Sequence, residues 1–168
     1  WPSDIKVAES EEKEFMDKTV KEIAENLEVE PLEALLEIIS RDPYTKAIRF
    51  REDDYEKRML LSHPRAMVGV DTFATNTELE HRNPPWMKPN PNSFGGFPRY
   101  FRRMVRETQT LPLEEAVRRV TSSPARKFKI KNRGTLRKGN HADIVLMDPE
   151  TITDTGDQMN PCQYPKGV

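Results

Sequence analysis

The chain has 168 residues, 35% of them hydrophobic and 33% charged, a composition expected of a soluble globular chain. No apolar run approaches the roughly 20 residues a bilayer crossing requires. Its 27 basic residues nearly cancel its 28 acidic ones, which argues against a polyanion-binding or acidic-tail protein. The single cysteine, Cys162, has no partner for an internal disulfide; it fits a reducing compartment, and the expected location is the cytoplasm.

The opening "WPSDIKVAESEEKE" has neither a basic targeting region nor an initiator Met and is expected to be the interior of a longer protein. Ile5 and Val7 alternate with polar residues, predicting a strand over 4–8, and the acidic block "ESEEKE" suits a helix start favoured by the helix dipole. Phe15, Val20, Ile23, Ala24 and Leu27 then recur at helical spacing. A second helix opens at Pro31, with Leu32, Leu35, Leu36 and Ile39 as its expected buried stripe, so the two make a helical hairpin. "TKAIRF" (45–50) is predicted as a strand, "EDDYEKRMLLSH" (52–63) as a helix, and "AMVGVD" (66–71) as a nearly all-apolar strand that stops on a carboxylate, Asp71.

A proline-rich stretch without apolar periodicity follows, over 72–96, and is expected to be a long loop covering a site. "FPRYFRRMVRE" and "PLEEAVRRVTSSPARKF" are helical, with Phe97, Phe101, Met104 and Val105, then Leu113, Ala116, Val117 and Val120, as buried stripes. Ser123 before Pro124 is expected to cap a fresh helical start. The arginines of "RYFRRMVRE" could suggest phosphate contacts, but the apolar residues share one stripe, so a solvated helix face and no nucleic acid is expected. From Gly134 the pattern becomes two short strands, 135–137 and 142–147, around the turn "KGNH".

Apolar strands alternating with helices predict an α/β fold with a parallel sheet covered on both faces. In such folds the carboxyl ends of strands carry the chemistry, which places Asp71 where a catalytic group would sit. A lone Asp after a strand is more often a turn former or helix cap, and the residues alone leave both readings open.

In this order, "HPRAMVGVD", "GGFPRYFRRMVRE", "LEEAVRRVTSSPARKF", "RGTLRKGNHADIVLMDPETI" and "NPCQYPKGV" resemble the C-terminal third of the N-acyl-D-amino-acid deacylases of the amidohydrolase superfamily. The resemblance implies the last strands and helices of a metal-dependent (β/α)8 TIM barrel over 1–130, then a return over 131–168 into a small composite β-sandwich domain. It makes Asp71 the acid at the end of the eighth strand, a proton acceptor for the water that attacks the amide and a possible metal ligand. It implies zinc or another divalent ion in the complete enzyme, none bound by this chain alone, and two partners: a small N-acyl-D-amino acid and the remainder of the barrel.

Gly95, Gly96 and "FPR" agree with the family, and Asn90, Gly95 and Arg99 are the candidate substrate contacts, with Arg99 expected first as a loop anchor. Many relatives have Ser-Asp-Gly at Val70-Asp71-Thr72, and His-Pro at Asn90-Pro91; an asparagine there can hydrogen-bond but not titrate. The other metal ligands of the family, including an H-x-H pair, lie upstream of anything in this chain. The three histidines, His63, His81 and His141, are not at ligand spacing. The fragment is expected to be inactive alone. The alternatives are another amidohydrolase, of dihydroorotase or hydantoinase type, or a non-catalytic structural relative.

Overall fold

The computed structural model describes residues 1–49, 54–72 and 89–168, which fall into two compact units divided near residue 53. The first runs β1 (Ile5–Glu9), a single 3-10 turn (Lys13–Phe15), α1 (Val20–Leu27), α2 (Pro31–Arg41) and β2 (Lys46–Arg49). α1 starts on a reciprocal cap: the Glu22 N–H donates to Thr19 Oγ1 at 3.2 Å, and the Thr19 N–H donates to Glu22 Oε2 at 2.7 Å. Pro31 begins α2, where its missing N–H costs nothing. The core between the two helices and β1 holds Val7, Phe15, Val20, Ile23, Ala24, Ala34 and Ile38.

Two expectations are corrected here. β1 and β2 pair antiparallel, from Ile5 opposite Arg49 to Glu9 opposite Lys46, with an irregularity after Val7; no parallel sheet occurs among the described residues. A single crossover helix turns the chain twice and brings it back parallel, but two successive helices turn it three times and deliver the second strand antiparallel. The buried side of α2 also differs in part from the expected stripe: Leu35 packs against the core beside Ala34 and Ile38, while Leu32 (60%), Leu36 (59%) and Ile39 (51%) are exposed. The apolar arc of α2 is wide, opposite Glu33, Glu37 and Ser40, and the core takes only the side of that arc that carries the small Ala34.

The second unit contains α3 (Asp54–Ser62), α4 (Asn92–Phe101) running into a π-helical segment (Arg102–Glu107), α5 (Leu113–Val120) and α6 (Ser122–Lys127). Its core is Tyr100, Phe101, Met104, Leu111, Ala116 and Ile152, with Leu61, Val68 and Met147 packed against it. Phe97, expected inside, is half exposed. The restart at α6 is flanked by Thr121 rather than Ser123, and the Thr121 hydroxyl donates back to the Val117 carbonyl at 2.7 Å, closing α5 instead.

The stretches 66–71, 135–137 and 142–147, expected as strands, have no ladder partner among the described residues. A strand needs a neighbour to pair with, and only one isolated bridge, Thr153 with Lys166, is formed in this part of the chain. The "KGNH" turn is present: the Asn140 side chain donates to the Thr135 carbonyl at 2.9 Å, and its N–H donates to Arg137 O at 3.1 Å.

Candidate functional site

Asp71 is solvent exposed and lies one residue beyond Val70, which is set against α4. A β-carbon at Gly96 would come within 3.0 Å of Val70 Cγ1, a crowded contact that glycine avoids. The preceding residue is tighter still, since a β-carbon at Gly95 would lie 2.8 Å from that of Asp154. The two glycines therefore admit the Asp71 segment on one side and the chain around Asp154 on the other.

Asp154 gathers arginines from the same helix. Arg102 Nε donates to its Oδ1 at 2.7 Å, and Arg99 Nε stands 4.0 Å from Oδ2. One helical turn on, Arg106 donates to the Ile152 carbonyl at 2.8 Å. The hydrogen bond to Asp154, reinforced by Glu107, pushes the Arg102 guanidinium above its usual range. Arg99 thus sits beside the Asp154 carboxylate. Asn90 turns its Oδ1 to the Asn92 N–H at 3.0 Å and so acts at the entry to α4.

The other end of the Asp71 segment is held by α5. Arg119 is almost wholly buried, and its Nε donates to Glu115 Oε1 at 2.7 Å. Its two terminal nitrogens donate to the carbonyls of Leu61 and Ser62, at the last turn of α3. Arg118 and Arg119 together hold the Glu115 carboxyl at about 2, well below the usual carboxylate range. The Val68 N–H donates to the Arg119 carbonyl across a long 3.4 Å.

Among the candidates, Gly95 and Arg99 meet around Asp154, Asn90 serves its own helix, and Asp71 reaches α4 through its neighbour Val70. His81 and residues 73–88 of the expected covering loop lie outside the described residues, and its last five residues, 92–96, are helical instead, forming the start of α4. His63 is exposed, and its Nδ1 accepts the Arg65 N–H at 3.2 Å, a local turn contact. His141 is exposed in the turn region.

Among the described residues, no group of three or more His, Cys, Asp or Glu is placed to hold a metal ion. The described part of this chain does not by itself fit a metal centre. No described helix is long and apolar enough to cross a membrane. Reading the sequence missed Asp154, Glu115 and Arg119. The signals were present: arginines at 99, 102 and 106 along one helix face call for an acid, and Arg119 lies between the inward residues Ala116 and Val120.

Residues 85–161 match the Amidohydrolase family. The chain is 35% identical over 122 residues to an N-acyl-D-aspartate deacylase of Alcaligenes xylosoxydans xylosoxydans, covering 73% of this chain and 22% of that protein. It is 37% identical over 108 residues to an N-acyl-D-glutamate deacylase of the same organism, covering 64% and 20%. It superposes, with a TM-score of 0.74 and 30% identity, on the crystal structure of N-acyl-D-glutamate deacylase from Bordetella bronchiseptica. That protein is complexed with zinc and a phosphonate inhibitor, a mimic of the reaction's tetrahedral intermediate; the match covers 98% of this chain and 32% of that one. The chain therefore spans about a fifth of the curated relatives and a third of the solved one.

Proposed function

This chain belongs to the amidohydrolase family, and from that premise we propose that it is the C-terminal part of a hydrolase that splits N-acyl-D-amino acids into a carboxylate and a free D-amino acid. In this reading residues 1–130 belong to the barrel part of the protein, with 66–71 as the eighth strand of a (β/α)8 barrel and the antiparallel β1–β2 pair outside its parallel sheet, and residues 131–168 return to a small β-sandwich formed largely outside this chain. The support is the match of nearly the whole chain to the inhibitor-bound N-acyl-D-glutamate deacylase.

Asp71 takes the proton of the water that attacks the amide carbonyl and passes it to the leaving nitrogen as the C–N bond breaks. A divalent ion, zinc by analogy with that relative, would be held mainly by residues outside this chain, with Asp71 as an available oxygen donor. Asn90, Gly95 and Arg99 are assigned to the substrate side, Arg99 chiefly as the anchor that keeps α4 against Asp154. A cytoplasmic location belongs to the same proposal and rests on the lone Cys162.

The names of the relatives favour an acidic D-amino acid as the product. The test is amine release by the full-length protein from N-acetyl-D-glutamate, N-acetyl-D-aspartate, N-acetyl-D-leucine and their L-enantiomers. The D-acidic substrates should be cleaved and the L forms should react at least about 100-fold more slowly. Equal rates for both hands, or ring opening of dihydroorotate with no linear amide cleaved, would contradict the proposal.

A further inference from the structure

A buried guanidinium is expensive unless every donor is used, and Arg119 uses its donors in an instructive direction. Arg118, its neighbour, reaches the same Glu115 from the more exposed side, so the ion pair alone does not require Arg119 to be buried. What burial adds is a grip on the open carbonyls of Leu61 and Ser62 at the end of α3. The backbone carbonyl of the same residue then receives the Val68 N–H. Between these two attachments lies a short turn closed by Ala66 N–H donating to the His63 carbonyl at 2.9 Å. Arg119 therefore holds the chain on both sides of that turn, and the later attachment is three residues before Asp71. Val70, the last residue before the acid, is stopped by Gly96.

We infer that Arg119 is a positioning residue for Asp71, fixing where the acid stands by clamping the end of α3 and the start of the 66–71 segment. The inference rests on the reading of Asp71 as the proton carrier. A lysine would keep the charge but lacks the planar fork that serves one carboxylate and two carbonyls together. A shift of about 1 Å in a group that must meet a bound substrate can cost on the order of 100-fold in rate.

The experiment uses the full-length enzyme with R119K, E115Q, D71N and the double variant R119K/D71N, reading kcat and KM separately together with the melting temperature. R119K, and E115Q more weakly, should lower kcat per folded molecule by about 10- to 100-fold with KM within about twofold. The R119K penalty should vanish in the D71N background, because the misplaced group is then gone. A lower melting temperature with wild-type kcat in both R119K and E115Q would overturn the inference and make Arg119 merely structural, as would an undiminished R119K penalty on top of D71N. Wild-type kcat in D71N itself would instead overturn the reading of Asp71, whatever R119K does.

Discussion

Asp42 is the residue on which the first unit closes. It is buried just after α2, where its Oδ2 accepts the Ser10 hydroxyl and the Glu11 N–H, each at 2.9 Å, and its Oδ1 accepts the Tyr44 N–H at 2.9 Å. Burial pushes the carboxyl up, but the N–H groups of Glu11 and Tyr44 and the hydroxyls of Ser10 and Thr45 outweigh it and hold Asp42 below the ordinary aspartate value. A depressed carboxyl stabilises the folded state above its unfolded value, near pH 4, and that stability is lost as pH falls through the lower folded value. Asp42→Ala should therefore destabilise the first unit by about 2–3 kcal/mol at pH 7, leaving Ser10 and two N–H groups without their acceptor. Hydrogen exchange of amides around Val7 and Ile38 checks this: faster exchange in the variant at pH 7 that shrinks toward wild type near pH 3 is expected, and equal exchange at pH 7 would refute it. Nothing local in "RDPYT" announces this role, because the partners of Asp42 at Ser10 and Glu11 lie about thirty residues away.

Helices were legible to the extent that their signals are local. The Thr19–Glu22 cap and Pro31 at the start of α2 are both written in neighbouring residues; α2 folds where the pattern places it, while α1 starts at Val20 behind Thr19 rather than at the acidic block 9–14, because the chain turns at Asp17 with φ 62°. Thr19→Ala should cost about 1 kcal/mol, seen as earlier urea unfolding of the first unit; an unchanged midpoint would mean that the cap contributes nothing. Strand partnership was not legible, since which edge a strand meets depends on how many helices intervene and on residues elsewhere in the protein. That is why "AMVGVD" has a strand's composition yet takes no ladder among the described residues. Of the candidate site, Asp71, Gly95 and Arg99 could be named from the resemblance, while the buried groups that hold them, Asp154 and Arg119, emerged only from packing.

At the scale of the whole molecule, apolar surface is left uncovered in both units. Leu136, Ile144, Val145 and Leu146 are exposed in the second, and the α2 stripe in the first. A chain that spans a fifth to a third of its relatives, with strand-like segments that have no ladder partner among the described residues, presents unpaired backbone and apolar side chains together. Expressed alone, it should self-associate in sedimentation velocity at micromolar concentration; a stable monomer would count against its assignment to part of a barrel. The proposed role of Asp71 as the proton carrier in amide hydrolysis is tested most directly by kcat of D71N in the full-length enzyme with N-acetyl-D-glutamate. A loss of at least about 1,000-fold is expected while the melting temperature stays close to wild type, and a variant retaining more than about a tenth of wild-type kcat would contradict that role.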